Sequence, residues 1–166
     1  MDHSLGVQIR PAQAANQAAI RAIIRKTCIN PLGLDWRRFT IAVDQEDNLI
    51  GCGQIKKHKD GSYELASIAV EEDWRNRGVA SRLIHHLLKV DVSPIWLMCR
   101  SDLVPFYEKF NFHVVFQIGD VPPCFQPMMI LWNVLGKLLG GSRIGNVMVW
   151  SVDKRKQDDQ LGLVGN

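Results

Sequence analysis

Tyr63-Glu64-Leu65-Ala66-Ser67-Ile68-Ala69-Val70, then Glu71-Glu72-Asp73, then Trp74-Arg75-Asn76-Arg77-Gly78-Val79-Ala80-Ser81, is the stretch on which the fold turns. The first eight residues begin by alternating and end apolar, the pattern of a strand that becomes buried. Beyond Gly78, Ala80, Leu83, Ile84, Leu87 and Leu88 form one helical stripe, leaving Ser81, Arg82, His85, His86 and Lys89 for the other faces. A strand therefore passes through a short Gly-containing turn directly into a helix. Such a turn aims several unpaired backbone N–H groups, reinforced by the helix dipole, at one spot in front of the helix. A pyrophosphate suits that spot, because Gly78 and the small Ala80 permit close approach while Arg75 and Arg77 supply charge.

Upstream, Val7 to Arg10 reads as a short extended segment stopped by Pro11. Ile20, Ile23, Ile24 and Thr27 then share a face opposite Arg21, Arg25 and Lys26, which predicts an amphipathic helix from about Gln13 to Thr27. Asn30-Pro31-Leu32-Gly33 ends it. Phe39 to Val43 and Leu49 to Lys57 read as a hairpin around Asp44 to Asn48, and Lys59-Asp60-Gly61-Ser62 turns into the strand already described. Downstream, Pro94 opens a strand over Ile95 to Cys99. Leu103 to Phe110 forms a short helix closed by Asn111, which tolerates the left-handed conformation at a helix end, and Phe112 to Ile118 is a further strand. Pro122-Pro123 breaks the chain, Met128 to Leu139 has helical composition, and Asn146 to Trp150 is the last strand. The expectation is one domain over residues 1–152, with a helix-containing insertion at about 122–145 and a flexible tail over 153–166. That insertion is expected to cover the acceptor side of the cleft or to form an interface between two copies as a homodimer.

A chain of 166 residues with 46% hydrophobic content can bury a core without staples. Its 20 basic against 17 acidic side chains give +3, too slight and too dispersed for a nucleic-acid partner. Cys28, Cys52, Cys99 and Cys124 lie far apart with no C-x-x-C pair, and read as buried thiols rather than metal ligands or disulfides. His85 and His86 are neighbours on a helix, point about 100° apart, and read as solvated surface. No metal is expected. The first residues lack a basic segment followed by an apolar run, so a cytoplasmic protein or the mature form of an organellar one is expected. The most apolar stretch, Met128 to Leu139, carries Asn133 and Lys137 and is well short of the roughly 20 residues of a membrane span.

Val70 followed by Arg75-Asn76-Arg77-Gly78-Val79-Ala80 resembles the acetyl-CoA motif of the GNAT superfamily of N-acetyltransferases, Gln/Arg-x-x-Gly-x-Gly/Ala at a helix start after a strand. Phe106-Tyr107-Glu108-Lys109-Phe110-Asn111-Phe112 is similar to the family's Tyr-x-x-x-Gly-Phe helix end, with Asn111 in the Gly position. The resemblance runs from about Val7 to Phe116. It implies a mixed α/β (α+β) fold: a central, mostly antiparallel sheet of about seven strands with helices on both faces. The two central parallel strands, here Ser62 to Val70 and Ile95 to Cys99, would splay to admit acetyl-CoA as co-substrate. Ile68, Ala69, Val70, Arg75, Asn76, Arg77, Gly78, Val79, Ala80 and Ser81 are then the expected cofactor-binding residues. The backbone groups of Ile68, Ala69 and Val70 would pair with the pantetheine amides as an added strand does, and one N–H could stabilise the oxyanion.

Acetyl transfer to an amine needs the amine neutral, whereas a lysine-like amine has a pKa of about 10.4. Glu64, six residues before Val70, resembles by spacing the catalytic glutamate of the histone lysine acetyltransferase branch. The bland alternative is a strand carboxylate paired with a lysine. Tyr107 matches the family's general-acid tyrosine, which returns a proton to the leaving thiolate; the alternative is a packed core tyrosine. Two departures stand out: Arg100-Ser101-Asp102 offers no asparagine near the start of this helix, and Pro105 is unusual there. Protein N-terminal acetyltransferases often carry a glutamate on the next strand, where Trp96 to Cys99 has no carboxylate. The expectation is an acyltransferase acting by direct attack in a ternary complex, its amine acceptor a small molecule or a protein amine. A non-catalytic acyl-CoA sensor on the same fold is the competing class. A nucleotide-binding protein is disfavoured, since the Gly-Lys-Ser/Thr of a phosphate-binding loop is missing.

Overall fold

The computed structural model describes residues 6–27, 29, 33–140 and 144–151, so the expected tail, Cys28 and part of the expected insertion lie outside it. The chain divides into two compact units, Met1–Asp91 and Val92–Asn166.

In the first unit, β1 (Gln8–Pro11), β2 (Phe39–Val43), β3 (Leu49–Lys57) and β4 (Tyr63–Val70) pair antiparallel in chain order. Helix α1 (Gln17–Lys26) lays Ile20, Ile23 and Ile24 against Phe39, Ile41, Val43, Cys52 and Ala69. On the opposite face α2 (Val79–Leu87) packs Val79 and Leu83 on Val7, Ala42, Ile50 and Val70. Both helices bury the stripe that the sequence pattern assigned to them, and it is this burial that holds short helices in place. His85 and His86 are exposed, as expected. Gly51 is what lets α2 lie so close: a Cβ there would be 3.1 Å from the Ala69 carbonyl oxygen and from Val79 Cγ1, and 3.2 Å from Leu83 Cδ1.

The β3–β4 ladder carries one irregularity that the sequence pattern did not announce. Cys52 pairs with Ala69 but Gln54 pairs with Ala66, so Gly53 stands opposite both Ser67 and Ile68. This is a β-bulge, with Ser67 in the left-handed region at φ 58°. A bulge shifts the alternation by one residue. It puts Glu64 and Ala66, before it, on the same α1-facing side as Ala69, after it.

In the second unit, β5 (Ile95–Arg100), β6 (His113–Val115) and β7 (Gly145–Trp150) pair antiparallel with β7 in the middle. A 3₁₀ turn, Ser101–Leu103, leads into α3 (Val104–Glu108), whose Pro105 sits in the first turn where no intrahelical N–H is needed. The turn after it ends at Asn111 with φ 64°, the left-handed closure expected of this residue. Strand β6 is shorter than its sequence suggested. Phe116 is 67% exposed, and Ile118–Asp120 turns in 3₁₀ geometry instead of extending the strand, because Gly119 and Pro122-Pro123 favour turns over a ladder. Helix α4 (Gln126–Leu138) buries Met129 beside Phe125, Trp96, Val121 and Val147. Its outward side, Ile130, Leu131, Val134 and Leu138, is apolar yet exposed. Among the described residues, no helix is long and apolar enough to cross a membrane.

Candidate active site

The strand-to-helix junction has the geometry its residues imply. After β4 the chain makes a 3₁₀ turn over Glu72–Trp74 and a further turn in which Asn76 has φ 59°. Gly78 follows at φ 79°, ψ 2° as the residue before α2, a left-handed conformation that glycine adopts without steric cost. The Arg82 N–H reaches back to the Gly78 carbonyl at 3.0 Å, so the amides of Val79, Ala80 and Ser81 ahead of it have no helical partner and point forward. The space they face is open: a Cβ built on Gly78 meets nothing within 4 Å.

Two arginines lie in this turn. Arg75 Nε donates to the Val70 carbonyl at 3.4 Å, and the Arg77 guanidinium lies over the Trp74 ring, 5.4 Å from its centroid, a cation–π contact. Among the described residues neither arginine is within salt-bridge distance of a carboxylate, although Glu71, Glu72 and Asp73 immediately precede them; Glu71 pairs instead with Lys26 at 3.1 Å. The turn thus carries two arginines ahead of a helix start with free amides, a combination suited to an anion.

Glu64 is buried, and its partner is not the lysine that a plain strand pairing would supply. Lys56 stands directly opposite it in the ladder, yet the Glu64 Oε2 is hydrogen-bonded to His58 Nε2 at 2.7 Å. Two further residues that sequence reasoning passed over lie nearby on the same strands. Gln54, 1% exposed, donates from Nε2 to Ser67 Oγ at 3.0 Å, bracing the bulge. His58 could have been found from the hairpin register alone: Lys57 pairs with Tyr63, which places His58 diagonally across from Glu64.

In the second unit, Tyr107 lies on α3 with its ring edge-on to Phe106 and Phe112, at centroid distances of 5.1 Å and 6.1 Å. Burial, aided by the nearby Cys99 thiol, pushes its phenol up to about 12, so it is a proton donor throughout the physiological range. Burial also raises Cys52 to about 12, and burial together with Asp102 raises Cys99 to about 11. Both are protonated thiols at neutral pH and poor nucleophiles. Arg100 and Asp102, at the position where the family often has asparagine, bind each other.

Residues 35–114 match the family described as acetyltransferase (GNAT) domain. The fold is that of solved GNAT proteins. N-acetylglutamate synthase from Neisseria gonorrhoeae, complexed with coenzyme A and N-acetyl-glutamate, aligns with a TM-score of 0.67 at 19% identity, over 87% of this chain and 35% of that one. Rv2747 from Mycobacterium tuberculosis, in complex with CoA, aligns with a TM-score of 0.66 at 17% identity, over 87% and 99%. Arabidopsis thaliana Naa50, in complex with a bisubstrate analogue, aligns with a TM-score of 0.56 at 17% identity, over 89% and 99%. The chain spans about a third of the length of the synthase it matches. No curated protein matches by sequence. The matched family model and the shared fold agree with the resemblance and the fold class read from the sequence.

Proposed function

We propose that the chain is an N-acetyltransferase that moves an acetyl group from acetyl-CoA to a primary amine by direct attack in a ternary complex. The observation that carries this reading is the Gly78 turn, an open, doubly cationic helix start of the kind that binds pyrophosphate. CoA would lie with its pyrophosphate on the amides of Gly78 to Ser81, flanked by Arg75, Asn76 and Arg77, and with its pantetheine arm along Ile68, Ala69 and Val70.

Glu64 would take a proton from the incoming ammonium, freeing the nitrogen lone pair to attack the thioester carbonyl. Collapse of the tetrahedral intermediate expels the CoA thiolate, and Tyr107 would return a proton to it. Cys52 and Cys99, held protonated by burial, favour this direct route over a covalent acetyl-enzyme.

The placement is tested by calorimetric titration of CoA into the wild type and Gly78→Asp. The substitution adds a carboxylate and a Cβ where the phosphates would sit, so affinity is expected to fall by at least about tenfold, with a cost of some 1.4 kcal/mol or more. Equal affinity for the two proteins would remove the placement.

A further inference from the structure

We propose that His58 is a positioning residue for Glu64: its hydrogen bond fixes Oε2, so that Oε1 is the oxygen presented to the acceptor ammonium. This rests on the acetyl-transfer reading above.

The His58 Nε2 to Glu64 Oε2 distance is 2.7 Å, and the two side chains are only 17% and 10% exposed. His58 is anchored by its own backbone. Its N–H donates to the Ser62 carbonyl at 2.9 Å and its carbonyl accepts from Gly61 N–H at 3.1 Å, closing the β3–β4 turn. A carboxylate on a three-bond stem can otherwise rotate and offer either oxygen. Tied at Oε2, it offers one. Opposite an ionised Glu64, Nε2 carries the hydrogen and the imidazole is the donor.

The proton balance is simple. The ammonium N–H bond breaks, its electron pair stays on nitrogen for attack, and the proton goes to Oε1, leaving Glu64 a neutral carboxylic acid still bonded to His58. No oxidant or further reactant is needed. With Oε2 already bonded to His58, the carboxylate presents Oε1 to an incoming ammonium. Aliphatic amines, charged at neutral pH, fit it better than aromatic amines, which are not.

The test is a double-mutant cycle on the full chain. Acetyl-CoA-dependent thiol release is followed with tyramine, spermidine, L-glutamate and a lysine-containing peptide, and the fastest acceptor is carried forward with wild type, His58→Leu, His58→Gln, Glu64→Gln and the His58→Leu/Glu64→Gln pair. For His58→Leu, kcat/KM for the amine should fall about tenfold while CoA affinity stays within about twofold of wild type. His58→Gln, whose amide can donate to Oε2, should recover most of the loss. The double variant should be no worse than Glu64→Gln alone, since His58 acts only through Glu64. If His58→Leu does not fold, His58→Asn, too short to reach Oε2, replaces it.

A His58→Leu enzyme as active as wild type, additive losses in the double variant, or a folded His58→Gln as impaired as His58→Leu would each overturn the inference. Wild-type protein that acetylates none of these amines would instead overturn the acetyl-transfer reading, and this inference with it.

Discussion

Tyr107 carries the sharpest consequences of any single residue. As the proposed general acid it should lose function on removal of one oxygen, so Tyr107→Phe is expected to lower kcat by roughly 10² to 10⁴ with CoA affinity nearly unchanged. Steady-state kinetics under conditions where chemistry limits turnover, paired with calorimetry, checks both halves. Burial makes a second, independent prediction. The folded phenol ionises at about 12, above its unfolded value of about 10. Between those values the unfolded chain has released a proton that the native one keeps, so stability falls as pH rises through this window, by about 2–3 kcal/mol in all. Tyr107→Phe should flatten that decline in denaturant titrations from pH 9 to 12. Glu64 is tested by the acid side of the pH profile: Glu64→Gln should weaken the ascending limb of kcat/KM, and an unchanged limb would leave water as the proton acceptor.

At the scale of elements, the packing of α2 on β3 positions the helix start that would hold CoA. Gly51→Val should force α2 away from the sheet, because its new atoms would meet the Ala69 carbonyl, Val79 and Leu83. A loss of about 1–3 kcal/mol is expected, accompanied by weaker CoA binding, and thermal melts with and without CoA report both. Most elements were legible because their burial is one-sided: Ile20, Ile23 and Ile24, or Leu83, Ile84 and Leu87, repeat at the helical period and are the residues buried. The bulge at Ser67 was not legible, since a serine at positive φ has no local signature and is imposed by the register of two strands. The hairpin register brings His58 within reach of Glu64, but that His58 and not Lys56 bonds it depends on side-chain direction, which sequence does not give. β6 was read too long because Phe116 and Ile118 are apolar, yet both are exposed. Apolar composition without alternation cannot separate a strand from an exposed loop.

For the molecule as a whole, the composition limited the partners and two short motifs pointed to the chemistry. The helix start and the buried Glu64 belong to the four-stranded unit, and Tyr107 to the three-stranded one. The amine itself was never legible, because acceptor choice resides in side-chain detail that a fold shared at under 20% identity does not fix. The central claim is direct acetyl transfer from acetyl-CoA to an amine. It is tested most directly by incubating the purified chain with acetyl-CoA and a panel of primary amines, and weighing amine products and intact protein together by mass spectrometry. The account predicts an N-acetylated amine formed in step with CoA release and no acetyl group on the protein. CoA binding without any acetylated amine, or transfer proceeding through an acetylated cysteine, would contradict it.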